Sequence, residues 1–401
     1  MHIFFSVGEP SGDQHTAHLI REIRSREPDV IISGFGGPLM KQAGCRLLYR
    51  LTDLAVMGIF HVIPLLGQFV RLVGEAGRYF QETRPDAVVL VDFPGFNWWI
   101  ARKAKAAGIP VFYYLPPQLW AWAPWRIRRM RRLVDHVLCS LPFERTWYAN
   151  RGMSVDDVGH PFFDEVAEHR LDQEFCGEWS SPTAGTVGIL PGSRTMEISR
   201  NWPLMVQVMQ DLSARCPHVR FLIACYKQAH QTRCREFVEQ AGISLPIHYF
   251  VGRTSEIIET SDCCLMVSGS VSLEMLARRK PAVVVYRIAR WLLPLKTIFV
   301  RLKSITLTNL IAGRNVLPEF IVHFFPRRDV RAMTDTLAEW LTQPLALDRA
   351  VGDLTAIHDD VVRTGATTRA AEQILKQLAD RYPHRQQSDS DDNRSSPTEA
   401  A

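Results

Sequence analysis

The feature that most constrains the fold is a repeated unit of apolar strand, glycine-containing loop and amphipathic helix, which occurs in both halves of the chain. In the first half, the apolar run His2–Val7 precedes Gly8-Glu9-Pro10-Ser11-Gly12-Asp13 and a helical pattern over residues 14–26. In the second half, Thr186–Leu190 precedes Pro191-Gly192-Ser193-Arg194 and another amphipathic run. Alternation of strands and helices predicts parallel sheets. We therefore expect an α/β protein with one such sheet in each half.

Polar stretches indicate where these halves begin and end. Residues 168–184 are polar and contain Ser180-Ser181-Pro182, a composition typical of a linker. We therefore assign residues 1–168 to the first domain and residues 185–345 to the second, and we expect a helix over 354–380 to complete the first domain. Residues 384–401 are rich in Ser, Asp and Gln and predict a disordered polar tail. We assign no metal site, because the D-x-D pattern at Asp389-Ser390-Asp391 falls in that tail.

Composition limits the classes of protein to which the chain can belong. With 401 residues, 46% hydrophobic and 22% charged, the chain is long enough for two or three domains and a large core. None of its eight cysteines forms a C-x-x-C pair or has zinc-finger spacing with histidine, which predicts buried thiols in a reducing compartment. The N-terminal apolar run has no basic segment before it, and no apolar run reaches the roughly 18–20 residues of a spanning helix. These observations predict a cytoplasmic protein.

Two candidate catalytic residues follow strands of the first half. The strand Asp86–Asp92 ends in a carboxylate, and the carboxyl ends of parallel strands line the ligand crevice of open α/β sheets. Asp92 is therefore a candidate general base, with helix capping or a salt bridge as the alternative. His160, in the loop Gly159-His160-Pro161, is either catalytic or only hydrogen-bonded, and the sequence leaves both interpretations open.

Two loops of the second half are candidates for phosphate binding. Ser193 and Arg194 lie between a strand and a helix, where unpaired N–H groups and the helix dipole favour an anion. An ordinary strand-to-helix turn has the same appearance. The loop Ser268-Gly269-Ser270 also opens a helix, and such a loop can bind phosphate while Glu274, one turn further, binds ribose hydroxyls.

Three segments have the composition of an interaction surface. Residues 54–73 are unusually apolar, which is typical of either a core helix or a surface for acyl chains. Residues 287–303 are basic and amphipathic, which favours a membrane interface over a packed surface helix. The segment 120–132 contains three tryptophans and five arginines, a combination that suits nucleic acid, anionic lipid or a phosphorylated substrate. A solvated basic helix face is the alternative.

An ordered set of short motifs resembles those of the lipid-A-disaccharide synthase family. In the first half these are Gly8-Glu9-Pro10-Ser11-Gly12-Asp13, Val56-Met57-Gly58-Ile59, Val91-Asp92-Phe93-Pro94-Gly95-Phe96-Asn97 and Trp120-Ala121-Trp122. In the second half they are Leu190-Pro191-Gly192-Ser193-Arg194, Ser268-Gly269-Ser270-Val271-Ser272-Leu273-Glu274 and Thr308-Asn309-Leu310-Ile311-Ala312-Gly313-Arg314. The resemblance runs from about residue 3 to about residue 375. Each motif alone is weak, whereas the ordered set is specific.

The resemblance implies the GT-B fold, in which two Rossmann-like domains with parallel sheets face each other across a cleft. It implies an inverting, metal-independent glycosyltransferase without a cofactor. Such an enzyme joins UDP-2,3-diacylglucosamine to 2,3-diacylglucosamine 1-phosphate and releases UDP and the lipid A disaccharide 1-phosphate. It further implies an anionic membrane surface as partner, at the cytoplasmic face of the inner membrane, and no nucleic acid. The oligomeric state, including a homodimer, stays open.

The resemblance also implies roles for individual residues. Asp92 corresponds to the essential carboxylate and is the candidate base for the acceptor 6-hydroxyl. On the acceptor side lie Glu9, Ser11 and Asp13. The donor-binding residues are Ser193, Arg194, Ser268, Gly269, Ser270, Glu274, Asn309 and Arg314. The sequence departs from the family pattern at Pro10, and at Gly95, where the family often has a second acid. Asp92 is therefore the only carboxylate in its loop.

Two alternatives remain at this stage. One is another GT-B enzyme acting on a UDP-sugar, either an N-acetylglucosaminyltransferase or a UDP-sugar 2-epimerase, and a water-soluble acceptor would distinguish it. The other is a non-enzymatic membrane or nucleic-acid binder that uses the tryptophan- and arginine-rich segment. Salt-sensitive binding that survives Asp92→Ala would identify that second alternative.

Overall fold

A computed structural model of the protein describes residues 1–55, 62–180, 185–287, 304–322 and 326–381. The motif Val56–Ile59, residues 288–303 of the basic segment and the polar tail therefore lie outside the described residues. The chain divides into two compact units. Unit 1 comprises Met1–Asp164 and the chain from Arg363 onward, and unit 2 comprises Glu165–Val362.

Unit 1 contains a parallel sheet of seven strands in the described residues, with the order β3-β2-β1-β4-β5-β6-β7. The strands are β1 (His2–Val7), β2 (Ile31–Gly36), β3 (Arg46–Arg50), β4 (Ala87–Val91), β5 (Val111–Tyr114), β6 (His136–Cys139) and β7 (Val155–Asp157). The helices that precede residue 169 are α1 (Pro10–Arg26), α2 (Pro38–Gln42), α3 (Thr52–Ala55), α4 (Val62–Thr83), α5 (Pro94–Ala106), α6 (Leu119–Trp122), α7 (Ile127–Leu133), α8 (Pro142–Ala149) and α9 (Pro161–Glu168).

Helices cover both faces of this sheet. Successive strand residues point to opposite sides, so each face has its own core cluster. Phe4, Val88 and Leu90 belong to the core cluster on one face. Phe5 and Val89, their neighbours in the chain, belong to the cluster on the other face. Strands buried on both faces are apolar throughout, which is why β4 reads as a continuous apolar run.

Unit 2 repeats the arrangement with six parallel strands in the described residues, in the order β10-β9-β8-β11-β12-β13. The strands are β8 (Thr186–Leu190), β9 (Arg220–Cys225), β10 (Ile247–Val251), β11 (Cys263–Val267), β12 (Ala282–Arg287) and β13 (Glu319–Val322). The helices are α10 (Gln173–Trp179), α11 (Thr195–Arg215), α12 (Gln228–Gln240), α13 (Thr254–Thr260), α14 (Val271–Ala277), α15 (Leu307–Ala312), α16 (Pro326–Thr342) and α17 (Pro344–Val361).

Both sheets have the strand order of a Rossmann-like fold, which confirms the predicted class of two parallel-sheet Rossmann-like domains. The order reverses between β1 and β4 in unit 1 and between β8 and β11 in unit 2. Ligands of such sheets bind beyond the carboxyl ends of the strands at this reversal. The loops after these four strands are therefore the places where the site is expected.

The polar stretch over residues 168–184, predicted as a linker, contains the helix α10. Asp172 caps this helix by accepting a hydrogen bond from Phe175 N (3.1 Å). The ring of Phe175 is buried and packs edge-on against Phe250 at 4.9 Å. The linker interpretation fails there because a few apolar residues are enough to dock a short helix onto the sheet.

The single helix predicted over 354–380 is instead two helices. The first, α17, belongs to unit 2, and the second, α18 (Ala366–Arg381), packs against α1 in unit 1. The break includes Gly365, which has φ of +81°. Asp164 caps α18 by accepting hydrogen bonds from the N–H groups of Gly365 (2.6 Å) and Thr367 (3.1 Å). The first helix ends at Val361, and Gly365 in the left-handed region leads into the second helix, whose N-terminus is capped by a carboxylate distant in the sequence.

In the described ranges, none of the helices combines the length and the apolar character that crossing a membrane requires.

Candidate active site

Asp92 and Glu9 lie side by side at the strand reversal of unit 1. Val7, the last residue of β1, pairs with Val91, the last residue of β4, so the loops that follow these strands are neighbours. Glu9 is exposed at the N-terminus of α1, and Asp92 is half-buried. The fold therefore brings together two acids that are more than eighty residues apart in the sequence.

The backbone at Asp92 is held in an uncommon conformation. Asp92 and Phe93 have φ of +46° and +41°, in the left-handed region that non-glycine residues rarely adopt. The carbonyl oxygen of Asp92 accepts hydrogen bonds from Asn97 Nδ2 (2.8 Å) and from the hydroxyl of Tyr113 (2.7 Å). Such backbone strain costs about 1–3 kcal/mol per residue and concentrates at functional sites. The two hydrogen bonds offset part of that cost and hold the backbone of Asp92 in this conformation.

Asn97 is a positioning residue to which the sequence analysis gave no role. Its side chain is fully buried, and Nδ2 donates to the carbonyl oxygens of Val91 (3.1 Å) and Ser6 (3.2 Å) as well as that of Asp92. Its Oδ1 accepts a hydrogen bond from Ser6 Oγ (2.7 Å). Asn97 thus joins the ends of β1 and β4. In the sequence, the indication of this role is an amide side chain on the buried face of a helix, about one turn after Asp92.

The electrostatic surroundings raise the pKa of Asp92 to about 7. Burial is the main cause, the negative charge of Glu9 adds to it, and His15 opposes it. At neutral pH the carboxyl group therefore exists as roughly equal amounts of acid and carboxylate. A general base works best when its pKa lies near the operating pH, so Asp92 has the titration behaviour that such a base needs.

Two glycines let α1 approach the Asp92 loop. A Cβ atom on Gly12 would lie 3.3 Å from Asp92 Oδ2 and 2.9 Å from Val7 Cγ1. A Cβ atom on Gly8 would lie 2.3 Å from the ring of Phe93. The carboxylate of Asp92 consequently rests against the first turn of α1, where the helix dipole is positive.

A cavity of about 250 Å³ lies within unit 1 beside Asp92. Its walls come from the loops after β1 and β4 and from the segment that follows β5. The lining residues are Glu9, Asp92, Phe93, Pro94, Pro117, Gln118, Leu119, Ala123 and Arg126. Acidic, apolar and cationic groups therefore meet in one cavity, which suits a polar ligand that carries a charge.

The predicted acceptor-side residues have different surroundings. Glu9 lines the cavity, whereas Ser11 is exposed in the first turn of α1. Asp13 is buried and accepts hydrogen bonds from the N–H groups of Gly37, Leu39 and Met40, each at 3.0 Å. Its carboxylate anchors the N-terminus of α2 and does not line the cavity. Asp13 thus has a structural task, and its predicted contact with an acceptor stays a prediction.

His160 is hydrogen-bonded within its own loop. The N–H of Phe162 donates to His160 Nδ1 (3.2 Å), and the ring of His160 lies perpendicular to that of His15 with 6.3 Å between ring centroids. Burial, with a contribution from His15, lowers the pKa of His160 to about 3. His160 is therefore neutral at physiological pH, and its Nδ1 is occupied.

In unit 2, the loop after β8 presents Ser193 and Arg194 to solvent. Gly192 has φ of +112°, and a Cβ atom there would lie 2.8 Å from Glu197 Oε2. The Arg194 side chain is 79% exposed, and its Nη1 lies 3.5 Å from Glu197 Oε1. Arg194 N donates to Glu197 Oε2 (3.3 Å), which caps α11. An exposed guanidinium with so loose a partner is free to bind an anion.

The loop after β11 supplies the remaining small residues. Gly269 and Ser270 are exposed, whereas Ser268 Oγ donates to the carbonyl oxygen of Ile305 (2.9 Å). Glu274 is buried, and its Oε1 accepts a hydrogen bond from Arg278 Nε (3.0 Å). This pairing holds Glu274 in place and engages one of its two carboxylate oxygens.

Asn309, predicted to bind the donor, is saturated by internal hydrogen bonds. It is 1% exposed, and its Nδ2 donates to Asn315 Oδ1 (2.8 Å), the Leu317 carbonyl (2.7 Å) and Glu319 Oε1 (2.7 Å). Its Oδ1 accepts from the N–H groups of Val316 (2.9 Å) and Leu317 (2.8 Å). The amide is fully used in shaping the turn between α15 and β13. The amide thus has a structural task, and its predicted contact with the donor stays a prediction.

Arg314, on the same turn, behaves differently. Its guanidinium pairs with Asp353 at 2.8 Å, and both side chains are 51% exposed. An exposed pair of this kind contributes little to stability and exchanges readily for another anion. Arg314 therefore keeps the capacity to bind an anionic ligand.

Replacement of Asn309 by Ala is expected to lower the free energy of unfolding by about 2–4 kcal/mol, because it leaves buried N–H and carbonyl groups without partners. Chemical denaturation of the variant measures this loss. Asn150→Ala, the same change at an exposed position distant in the sequence, is the matched control and should cost under about 1 kcal/mol. Unchanged stability of Asn309→Ala together with loss of UDP binding would instead identify Asn309 as a nucleotide ligand.

Within the described ranges, no three His, Cys, Asp or Glu side chains gather where they could hold a metal ion.

Solved structures with the same architecture define the class of protein. The "S. aureus MnaA-UDP co-structure" is similar with a TM-score of 0.61 and 11% identity, covering 94% of this chain and 97% of that one. A UDP-GlcNAc 2-epimerase from Neisseria meningitidis bound to UDP-GlcNAc gives 0.63 at 11% identity, covering 94% and 100%. Acinetobacter baumannii MurG gives 0.58 at 14% identity, covering 94% and 99%. The protein therefore has the GT-B fold, shared by glycosyltransferases and UDP-sugar epimerases.

Sequence comparison identifies the family. The profile described as "Lipid-A-disaccharide synthetase" matches residues 3–327. The lipid-A-disaccharide synthase of Myxococcus xanthus is 34% identical over 378 residues, covering 94% of this chain and 97% of that protein. That of Nitrosococcus oceani is 34% identical over 316 residues, covering 79% and 81%. The chain belongs to the lipid-A-disaccharide synthase family and is a hexosyltransferase, which confirms the resemblance inferred from the ordered motifs.

Proposed function

We propose that the protein transfers the diacylglucosamine unit of UDP-2,3-diacylglucosamine to the 6-hydroxyl of 2,3-diacylglucosamine 1-phosphate. The products are the lipid A disaccharide 1-phosphate and UDP. The observation that carries this proposal is Asp92, a half-buried carboxylate of raised pKa at the strand reversal of unit 1, in a cavity large enough for a sugar. Membership of the family supplies the identity of the substrates.

In the proposed reaction, Asp92 accepts the proton of the acceptor hydroxyl as that oxygen attacks the anomeric carbon. The bond between that carbon and the diphosphate breaks, so the configuration inverts and negative charge develops on UDP. Arg194 stabilises this charge, because a preorganised cation acts most strongly where charge appears in the transition state. Ser193, Ser268, Gly269 and Ser270 hold the diphosphate, Glu274 binds the ribose, and Arg314 provides a second cation.

The test is incubation of the protein with both lipid substrates, followed by mass spectrometry of the lipid product. We expect a disaccharide 1-phosphate and one UDP for each disaccharide formed. A water-soluble glucosamine acceptor should give no product. Epimerisation of UDP-N-acetylglucosamine, or transfer to the soluble acceptor alone, would contradict the proposal and favour another UDP-sugar enzyme of the same fold.

We further propose that unit 1 rests on an anionic membrane at the cytoplasmic face of the inner membrane, because both substrates carry acyl chains. In the described part of the predicted apolar segment, Leu66 is 53% and Val70 is 73% exposed on α4. On α5, which packs against α4, Trp99 is 54% exposed and lies beneath the guanidinium of Arg102. Exposed apolar side chains next to cations favour the interface of an anionic bilayer.

Substitution of Val70 by Asp is expected to lower the partition coefficient onto anionic vesicles about tenfold, because burying a valine contributes roughly 1.5 kcal/mol or more. Sedimentation with phosphatidylglycerol vesicles measures the effect. Leu345→Asp in unit 2 is the matched control, since Leu345 is 74% exposed and Val70 73%. Equal loss in both variants, or none in either, would argue against a membrane surface on unit 1.

A further inference from the structure

The cavity beside Asp92 contains a cation that pairs with no carboxylate of the described residues. Of the described residues that line it, Arg126 alone is positively charged, while Glu9 and Asp92 are acidic. The side chain of Arg126 is exposed, and among the described residues it has neither an ion pair nor a side-chain hydrogen bond. Arg278 and Arg314, by contrast, each pair with an acid. The guanidinium of Arg126 is therefore available to an anion that enters the cavity.

Hydrogen bonds to residues of α8 hold the cavity wall that contains Arg126. The hydroxyl of Tyr148 donates to the carbonyl oxygen of Pro117 (2.9 Å), and Trp120 Nε1 donates to Glu144 Oε1 (2.9 Å). Glu144 is 1% exposed, and its Oε2 accepts hydrogen bonds from two further backbone N–H groups in the loop before α8. Arg126 N donates to the carbonyl oxygen of Ala123 (2.9 Å), which closes a short 3₁₀ turn. The backbone at Arg126 is thus fixed before a ligand arrives.

The charges in the cavity define what this arginine can select. A phosphate monoester carries close to two negative charges at neutral pH and would be repelled by Glu9 and Asp92. A guanidinium on the facing segment offsets this repulsion and offers two parallel N–H donors to phosphate oxygens. A hexose bearing a phosphate on its anomeric carbon has that group and its 6-hydroxyl on either side of the ring oxygen. Both groups of such a sugar can therefore lie within one cavity.

We propose that Arg126 binds the phosphate monoester of the acceptor and so makes the enzyme select a sugar 1-phosphate over the unphosphorylated sugar. This inference rests on the proposed function and adds a specificity-determining residue to it. Arg126 contacts the substrate at a distance from the reacting oxygen, so its contribution is to acceptor binding. Asp92 remains the group that takes the proton.

The experiment compares Arg126→Ala with the wild-type protein on two acceptors, 2,3-diacylglucosamine 1-phosphate and 2,3-diacylglucosamine. The variant should have a KM for the phosphorylated acceptor raised about 10- to 100-fold, because one charge-assisted contact is lost. Its kcat, its KM for the UDP-sugar and its rate with the unphosphorylated acceptor should stay within about threefold of the wild-type values. Arg126→Lys should recover part of the loss, since a single ammonium cannot reproduce two parallel hydrogen bonds.

Arg145→Ala, which removes an exposed arginine on α8, is the matched control and should leave both acceptors unaffected. Thermal unfolding of Arg126→Ala should match that of the wild-type protein, because the side chain is exposed and has no ion pair or side-chain hydrogen bond within the part of the chain that the structure describes. An equal loss with both acceptors, or a raised KM for the UDP-sugar, would overturn the inference and place Arg126 at the donor. A wild-type protein that glycosylates neither acceptor would refute the proposed function itself.

Discussion

Replacement of Asp92 by Asn will lower kcat by about 10²–10⁴-fold, because the acceptor hydroxyl loses the base that takes its proton. Asparagine keeps the size of the side chain and cannot accept that proton. UDP binding should be unaffected, since the residues proposed to bind it belong to unit 2. Radiolabelled sugar transfer measures the rate, and titration with UDP measures the binding. Asp29→Asn, at an exposed position of unit 1, is the matched control and should have full activity.

The same variant should be more stable than the wild-type protein above neutral pH. Because the folded-state pKa of Asp92 is about 7 and its ordinary value is 3.8, the folded protein binds the proton more tightly than the unfolded chain does. The resulting stabilisation is complete below pH 4 and is lost as the pH rises through 7. The difference corresponds to at most about 4 kcal/mol, less where solvent reaches the carboxyl group. Asp92→Asn avoids this loss, so denaturation at pH 8 should show the gain and denaturation at pH 4 should not.

The pH profile tests the same assignment in the wild-type protein. The value of kcat/KM should rise with pH up to about 7, as Asp92 loses its proton, and should then level off. Glu9→Gln should move the midpoint of this rise to lower pH, because the negative charge of Glu9 helps to raise the pKa of Asp92. A flat profile between pH 5 and pH 8, or turnover by Asp92→Asn near the wild-type rate, would remove Asp92 from the role of base.

Replacement of Arg194 by Ala is the second change with a large expected effect, a fall in kcat of about 10²–10³-fold. One preorganised donor that stabilises developing charge typically contributes this much. The free energy of unfolding should hardly change, because the side chain is 79% exposed and its 3.5 Å ion pair with Glu197 lies at the surface, where such pairs contribute little. Steady-state kinetics and thermal unfolding of the purified variant measure the two quantities.

The matched control for Arg194 is Arg233→Ala, which removes an exposed arginine from α12 of the same unit. Arg194→Lys should recover only part of the activity, because an ammonium group lacks the planar pair of donors that fits a diphosphate. A loss confined to the KM of the acceptor, with kcat and donor binding intact, would show that Arg194 does not act on the leaving group.

Part of the candidate site could be predicted, because some of its residues directly adjoin in the sequence the strands and helices that position them. Asp92 directly follows an apolar strand, and Arg194 lies between a strand and the start of a helix. Their positions at carboxyl strand ends follow from that adjacency. Short edge strands could not be predicted in the same way. The strand β3 reads Arg-Leu-Leu-Tyr-Arg, is half-buried and lies at the edge of its sheet, so it lacks a continuous apolar run.

Residues whose task depends on distant partners could not be assigned from the sequence. Asp13 resembles a ligand of the acceptor, yet its carboxylate caps a helix that begins at Pro38. Asn309 resembles a ligand of the donor, yet its amide is enclosed by backbone groups of the following turn. Residues with a structural task and residues that bind a ligand can both be part of the same sequence motif. Only the burial and the hydrogen bonds around each side chain distinguish a structural role from a ligand-binding role.

The amino-acid sequence is enough to predict the two Rossmann-like sheets, the family, and the strand ends at which the acid and the arginine lie, because these depend on local pattern and chain order. Tertiary structure alone decided that Asp92 is strained and has a pKa near 7, because burial, Glu9 and His15 act on it through space. It also placed Arg126, 34 positions further along the chain, in the same cavity as Asp92. The physical reason is that electrostatic energies and hydrogen bonds depend on distance in space, which chain order does not specify.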